Sequence, residues 1–123
     1  MYEIDIQREF SAAHMLKGYN GNCSALHGHN WTVQATVSSL LLDDIGIAVD
    51  FRSLKEELDI IIAELDHTNL NDMPPFQQDN PTSEQLAKCI FDRLTAKLNT
   101  EHISVTKIRV CESHGSGATY FES

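Results

Sequence analysis

Alternating hydrophobic and polar residues predict two strands in the first 40 residues. In residues 2–10 the even-numbered positions are apolar, with Arg8 as the one interruption, and in residues 31–38 the odd-numbered positions are apolar. Because successive side chains of a strand point to opposite faces, each segment is a strand with one buried face. The apolar phase of the first strand continues to His14, and that of the second includes His27. The two strands are predicted to be antiparallel neighbours.

A different periodicity predicts two helices in the second half of the chain. Leucine and isoleucine recur at the spacing of one helical face in residues 54–65 and again in residues 86–98. Thr82 and Gln85 have the spacing of a capping box, so the second helix is predicted to begin at Thr82. Residues 68–75, rich in Asn and Pro, are predicted to be a loop between the helices.

The last strands are shorter and less regular. Residues 103–111 are β-rich, but their alternation slips once between Val105 and Ile108, which is typical of a β-bulge. Residues 118–121 form a short closing strand, and residues 47–51 are also β-like. The order strand, strand, helix, helix, strand, strand predicts an α+β layer of four strands backed by two helices. A sheet this small has exposed edges, so a closed oligomer is expected.

Length and composition restrict the class of protein. A chain of 123 residues is predicted to be one domain, residues 1–123, and its net charge of −9 argues against a nucleic-acid partner. With no apolar run near 18 residues and no signal peptide, neither a membrane span nor secretion is expected. Three scattered cysteines, Cys23, Cys89 and Cys111, do not make a disulfide framework. A reducing cytoplasm is the predicted setting.

A thiol and two imidazoles lie within seven residues, at Cys23, His27 and His29. His27 and His29 are two apart in a strand and share a face, and His14 ends the neighbouring strand on its own buried face. Three imidazoles are a suitable ligand set for a catalytic zinc, which keeps its fourth position open. The alternative is that these histidines are buried and only form hydrogen bonds.

Two further acidic positions carry candidate chemistry. Asp66 and His67 are adjacent at the end of the first predicted helix, where His67 has the alternative role of capping the last carbonyl groups. Glu112 follows the phase of the apolar residues Ile108 and Val110. Because a buried unpaired carboxylate is costly, Glu112 is predicted to have a ligand, or alternatively a salt bridge to a nearby cation.

Several of these segments together resemble the 6-pyruvoyl-tetrahydropterin synthase family. The matching segments are residues 10–14, 23–29, 65–67, 70–71 and 81–84, together with Glu112. Within that family the short spacing between Cys23 and His27 and the compact length are most similar to the bacterial branch that makes 6-carboxy-5,6,7,8-tetrahydropterin for queuosine (7-deazaguanine) biosynthesis. The match covers nearly the whole chain.

The resemblance implies a fold and an assembly. The fold is the tunnelling fold (T-fold), with a four-stranded antiparallel sheet backed by two helices in the order ββααββ. Three subunits close a twelve-stranded barrel, and two trimers stack into a homo-hexamer with active sites between subunits. Such closure satisfies the exposed strand edges predicted above.

The resemblance also implies a reaction and the residues that perform it. The substrate is 7,8-dihydroneopterin triphosphate, and the products are 6-carboxy-5,6,7,8-tetrahydropterin, acetaldehyde and triphosphate. The implied zinc ligands are His14, His27 and His29. The implied catalytic residues are Cys23, Asp66 and His67. The implied pterin-binding residues are Glu112, Thr82 and Ser83.

Several alternatives stay open at the level of sequence. The family commonly has Arg after the first zinc histidine, where this chain has Met15, so the triphosphate requires another cation, with Lys17, Arg8 and Arg52 as candidates. Cys23 is close enough to be a fourth zinc ligand, which would make the site structural. The alternative functions are 6-pyruvoyl-tetrahydropterin formation from the same substrate and a pterin-binding zinc module without turnover. A variant that makes 6-hydroxymethyl-dihydropterin is less favoured, because that branch typically replaces the thiol with a carboxylate.

Overall fold

The fold is a five-stranded sheet with two helices on one face. A computed structural model describes residues 1–21 and 24–122. Its strands are β1 (Tyr2–His14), β2 (His27–Ser39), β3 (Thr68–Asn69), β4 (Ile103–Ser113) and β5 (Ser116–Tyr120), and its helices are α1 (Phe51–Leu65) and α2 (Ser83–Leu98). The sheet order is β3-β1-β2-β4-β5. The predicted α+β class is therefore confirmed, and the four predicted strands correspond to β1, β2, β4 and β5.

The strand pairings are as the alternation predicts. β1 and β2 are antiparallel along their full lengths, with Tyr2 opposite Ser39 and His14 opposite His27. β4 pairs antiparallel with both β2 and β5, and its register against β2 shifts between Val105 and Lys107, leaving Thr106 as an extra residue. This shift is the bulge that the slipped alternation predicts.

The core lies between the inner face of the sheet and the two helices. α1 packs against β1, and α2 packs against β4 and β5. Trp31, Val33 and Val37 of β2 are fully buried, as are the helix residues Leu58 and Leu86. The opposite face of the sheet carries the polar half of each alternation. Among the described residues, no helix is long and apolar enough to cross a membrane.

The β-like segment at residues 47–51 is not a strand, so that prediction is wrong. The Asp43 carboxylate accepts hydrogen bonds from the backbone N–H groups of Ile45 and Ile47, and these bonds turn the chain. The Asp50 carboxylate then accepts the N–H of Arg52 and caps α1, which begins at Phe51. Side-chain bonds to the backbone therefore outweigh the strand propensity of this segment.

The loop predicted at residues 68–75 contains more structure than expected. It includes β3, which pairs in parallel with β1, and two short 3-10 turns, Leu70–Asp72 and Pro74–Phe76. The sheet is thus mixed and five-stranded, not four-stranded and antiparallel. The cause is the backbone of His67, whose φ of +59° turns the chain after α1 back alongside β1. α2 is capped by Thr82, whose side chain accepts the N–H of Gln85, as predicted.

Candidate metal centre and its surroundings

Three histidines converge at the inner face of the sheet where β1 ends and β2 begins. In the antiparallel register His14 lies opposite His27 and Ala12 lies opposite His29, so all three imidazoles point toward the helix layer. One ligand atom from each histidine lies within 4.8 Å of the others. The ring centroids are 4.6–5.1 Å apart. This separation is suitable for shared coordination of one ion, with Zn–N distances of about 2 Å.

In two of the rings, Nδ1 is hydrogen-bonded to a backbone carbonyl oxygen, which leaves Nε2 free. His14 Nδ1 lies 2.8 Å from the carbonyl oxygen of Pro81, and His27 Nδ1 lies 2.7 Å from that of Ala25. Because a carbonyl only accepts, each Nδ1 carries the proton, and each Nε2 is left with its lone pair. Such second contacts orient metal-binding histidines in general.

Two of the ring nitrogens in the cluster are buried. Among the described residues, His14 Nε2 and His29 Nε2 are buried side-chain atoms without a hydrogen-bond partner. Burial lowers the pKa of His14, in opposition to the Pro81 carbonyl, and so favours its neutral form. Buried polar atoms ordinarily have partners. These two nitrogens therefore fit a bound cation, and a donor set of three imidazoles suits a metal such as zinc.

Trp31 forms the floor of this cluster. Its ring centroid lies 4.9 Å from that of His14 and 5.2 Å from that of His29, in edge-to-face orientation. Its Nε1 donates a 3.2 Å hydrogen bond to the carbonyl oxygen of Ala12, and its indole stacks on Phe10. The indole is fully buried. Two of the three histidine rings thus rest on a rigid aromatic surface.

Asp66 and His67 lie at the outer edge of β1. The two Asp66 carboxylate oxygens accept the backbone N–H of Ser11 at 2.9 Å and the His67 Nδ1–H at 2.9 Å. The backbone N–H of His67 in turn donates to the Ser11 carbonyl at 2.6 Å. Asp66 and His67 therefore bond both backbone groups of Ser11, as a neighbouring strand would. The imidazole of His67 contacts the carboxylate of Asp66, in place of the helix carbonyls that the capping alternative requires.

The arrangement keeps the carboxylate of Asp66 ionised and orients the imidazole of His67. The Ser11 N–H, followed by the His67 imidazole, lowers the pKa of Asp66 below its ordinary value, so the carboxylate stays ionised. An ionised carboxylate at Nδ1 holds His67 in the tautomer with Nε2 free. The His67 side chain is 81% exposed. His67 and His29 line one open cavity of about 370 Å³ that also borders Ser11 and Asn30.

Glu112 lies on the other side of the histidine cluster. Its Oε2 is 3.4 Å from His29 Nε2, and its Oε1 is 3.5 Å from the Ser83 hydroxyl, which donates to it. The Glu112 side chain is 33% exposed, so part of the carboxylate faces solvent. The group nearest to Glu112 that can carry a positive charge is His29, which is itself a candidate metal ligand, so the pterin-binding role of Glu112 stays a prediction beside the salt-bridge alternative. Ser83 is buried, and the Thr82 hydroxyl accepts the N-cap bond of α2.

Some of the contacts that position the site are absent from the sequence prediction. The Pro81 carbonyl holds His14, the Ser11 backbone holds Asp66, and the side chains of Asn71 and Asn80 hold the segment that follows His14. The only local signal is the position of Asn80–Pro81 directly before a helix cap. The predicted catalytic thiol of Cys23 lies outside the described residues, and its role stays a prediction.

Comparisons with known proteins identify relatives of this chain. A family model described as 6-pyruvoyl tetrahydropterin synthase matches residues 3–123. The chain is 39% identical over 114 residues to the 6-carboxy-5,6,7,8-tetrahydropterin synthase of Bacillus subtilis. The alignment covers 89% of this chain and 76% of that protein. It is 37% identical over 127 residues to the enzyme of that name from Synechocystis sp., covering 98% and 94%.

A solved structure has the same fold. The Caenorhabditis elegans 6-pyruvoyl tetrahydropterin synthase superposes with a TM-score of 0.83 and 27% sequence identity, over 100% of this chain and 98% of that chain. The predicted tunnelling fold of the subunit is thereby confirmed. Because the family model spans nearly the whole chain and two relatives exceed 30% identity over most of it, this protein belongs to the 6-pyruvoyl tetrahydropterin synthase family.

Proposed function

We propose that this protein converts 7,8-dihydroneopterin triphosphate to 6-carboxy-5,6,7,8-tetrahydropterin, with release of acetaldehyde and triphosphate, in queuosine biosynthesis. The observation that carries the proposal is the set of His14, His27 and His29, whose ligand atoms lie within 4.8 Å of one another, and the Asp66–His67 pair at the edge of β1 adds a candidate proton relay. The names of the Bacillus and Synechocystis relatives support the product.

The histidine set is proposed to bind Zn²⁺. When bound, zinc would polarise the side-chain oxygens of the substrate and make the neighbouring C–H groups more acidic. The residues around the metal would transfer the proton and bind the pterin ring. The Nε2 of His67, held free by Asp66, would accept and return a proton, and Cys23 would do the same as a thiolate.

Glu112 is proposed to orient the pterin. Its carboxylate can accept two hydrogen bonds, one from the amino group and one from the ring N–H. Ser83, which donates to Glu112, and Thr82 complete this binding edge. Because Glu112 Oε2 lies 3.4 Å from His29, the ring and the reacting side chain of one substrate would occupy adjacent positions.

The assembly is part of the proposal. β5 lies at one edge of the sheet and the two-residue β3 covers only the end of β1 at the other, so the backbone of most of β1 has a free edge. Trimers that pair these edges would close a twelve-stranded barrel, and stacked trimers would give a hexamer. The exposed imidazole of His67 would then lie at a subunit boundary.

The test is mass spectrometry of the products formed by zinc-loaded protein from 7,8-dihydroneopterin triphosphate. The expected products are 6-carboxy-5,6,7,8-tetrahydropterin and acetaldehyde. Cys23→Ala is expected to keep zinc but lose most turnover, whereas His27→Ala is expected to lose zinc as well. Full activity of Cys23→Ala would remove the thiol from the mechanism.

Two other outcomes distinguish the alternatives. A 6-pyruvoyl product would assign the chain to the activity named for its Caenorhabditis structural relative. Bound zinc and pterin without any product would contradict the enzyme assignment and leave a binding module. A zinc site that also takes the thiol of Cys23 would have no open position, and cobalt substitution would reveal the thiolate as an intense charge-transfer band.

A further inference from the structure

The substrate of the proposed function carries a triphosphate, and this chain has few cations to receive it. The net charge of −9 repels such a substrate at long range, so local Lys or Arg side chains must hold the phosphates. Met15 occupies the position after His14 and supplies no charge. Given the proposed function, on which this inference rests, another cation of this chain must bind the phosphates.

Two of the candidate cations lie away from the end of the sheet that carries the histidine cluster. Arg8 is paired to Asp59 through both carboxylate oxygens, at 2.8 Å and 3.0 Å. It is also six residues from His14 along one extended strand, which is about 20 Å. Arg52 is in the first turn of α1, about 20 Å along the helix from Asp66. Within one subunit neither side chain reaches the histidine cluster.

Lys17 lies at the correct end. It follows His14 by three residues, so its Cα is within about 10 Å of the Cα of His14. Its side chain is exposed. In the part of the chain that the structure describes, no carboxylate makes an ion pair with it. The ammonium group is therefore available to an anionic ligand.

The backbone of Lys17 is held in place by a side chain of another segment. The Lys17 N–H donates to Asn80 Oδ1 at 2.9 Å, and Asn80 Nδ2 donates to the Lys17 carbonyl at 2.9 Å. Asn71 makes the same two-point contact with Met15, at 2.8 Å and 3.0 Å. Two amide side chains thus fix the segment that leaves the metal centre. Such fixing lowers the entropy that the segment would lose on binding a ligand.

The same short segment ties Lys17 to the metal centre. Asn80 holds the Lys17 backbone, and the next residue, Pro81, accepts the hydrogen bond of His14 Nδ1. Two adjacent residues, Asn80 and Pro81, consequently position the backbone of Lys17 and the imidazole of His14. A substrate whose hydroxyl oxygens meet the histidine cluster would extend its phosphate tail within reach of a lysine side chain.

We propose that Lys17 binds the phosphate tail of the substrate and that Asn80 is the residue that positions it. The ammonium group would form charge-assisted hydrogen bonds with phosphate oxygens. Asn80 touches no phosphate itself and acts through the backbone of Lys17. The segment after His14 thereby supplies the charge that Met15 lacks.

The test compares Lys17→Gln with Arg52→Gln, which removes the same charge at the far end of α1. For Lys17→Gln the KM for 7,8-dihydroneopterin triphosphate is expected to rise about 10- to 100-fold, the loss typical of a hydrogen bond to a charged group. The inhibition constant of 7,8-dihydroneopterin, which lacks phosphate, is expected to stay unchanged. Arg52→Gln is expected to change neither value.

Asn80→Ala provides the second variant. It is expected to raise the KM for the triphosphate in the same direction, and the double variant with Lys17→Gln is expected to be no worse than Lys17→Gln alone, since coupled residues are not additive. Asn99→Ala is the matched control, because Asn99 also bonds a backbone N–H, that of Val105, but at the other end of α2. Zinc affinity is measured for each variant, and its retention separates positioning from loss of the metal site.

Each outcome decides between the two claims. Turnover by the wild type with an unchanged KM in Lys17→Gln would overturn the assignment of Lys17 and leave the proposed function standing. A wild type that forms no product would contradict the proposed function. The ratio of triphosphate to dihydroneopterin affinity, measured by calorimetry on zinc-loaded wild type and Lys17→Gln, then decides on Lys17. Equal ratios, or no binding of either compound, would overturn the assignment.

Discussion

Substitution of Trp31 by Phe tests whether the floor of the histidine cluster sets the affinity for metal. The indole is fully buried, stacks on Phe10 and contacts the edges of His14 and His29. Phe retains the stacking but removes three non-hydrogen atoms and the N–H that bonds the Ala12 carbonyl. The two histidine rings would lose part of their support without any change in the ligands themselves.

The expected magnitude follows from these contacts. The lost hydrogen bond costs about 1 kcal/mol, and the lost apolar volume costs a further 1–3 kcal/mol, roughly, because the rigid sheet around it cannot collapse. The free energy of unfolding of the metal-free protein is thus expected to fall by about 2–4 kcal/mol. Because loss of an outer contact typically weakens a metal site 10- to 100-fold, zinc affinity is expected to fall by about tenfold or more.

The assay separates loosened ligands from general loss of stability. Unfolding in urea is followed by circular dichroism, and zinc affinity of the folded protein is measured by competition with a chromogenic chelator. Leu94→Ala is the control, since Leu94 is buried in α2 about 16 Å along the helix from Ser83 and its truncation costs about 2–5 kcal/mol. Equal zinc affinities of the two variants would refute the reasoning.

Three further predictions concern the charges and the backbone near the site. Asp66→Asn is expected to lower the turnover of zinc-loaded protein by a factor on the order of 10²–10⁴, since the amide no longer fixes the tautomer of His67, and unchanged turnover would contradict the relay. Burial lowers the pKa of His14, so the unfolded state binds a proton at His14 first as the pH falls through 6.5. The metal-free protein should therefore lose stability below that pH. His14→Phe should lack this loss. His67→Gly relieves a left-handed backbone conformation that costs about 1–2 kcal/mol, so its melting temperature should be equal to or above that of the wild type while activity is lost.

The position of the histidine cluster could be predicted because it depends on local periodicity. A strand alternates its side chains with a period of two, so the phase of Ile6 and Phe10 determines that His14 faces inward. The same reasoning applies to His27 and His29 from the phase of Trp31. Pairing of the two strands follows from their shared burial, and it brings the three rings together.

Residues 47–51 and β3 could not be predicted in the same way. The alternation at residues 47–51 is too short to outweigh the Asp43 side chain, which accepts the N–H of Ile47, and the Asp50 side chain, which accepts the N–H of Arg52 and starts α1. β3 exists because His67 adopts a positive φ that a non-glycine residue rarely takes. No sequence pattern at residues 66–69 indicates this conformation, since its partner is the backbone of Ser11.

The contacts that position the site join residues far apart in the sequence, and local sequence patterns therefore do not indicate them. Asn71 and Asn80 bond residues 56 and 63 positions away, and the Pro81 carbonyl bonds His14 across 67 positions. An asparagine before a helix is equally consistent with a turn, so its local sequence does not distinguish the two roles. These contacts depend on the topology of the fold, which composition and periodicity only restrict to a class.

The topology itself explains why so much chemistry collects in one place. β1 ends and β2 begins at one end of the sheet, α1 ends there beside Ser11, α2 begins there at Pro81, and β4 reaches it at Glu112. Five elements thus contribute their termini, where backbone groups lack partners within the element and side chains can project freely. α1 begins and α2 ends at the opposite end of the layer, and the Arg8–Asp59 pair lies midway along β1 and α1. Because the two ends are about 20 Å apart, a substitution at the far end alters the free energy of unfolding without altering the geometry of the site. Variants such as Leu94→Ala, Arg52→Gln and Asn99→Ala are therefore informative controls for those near His14.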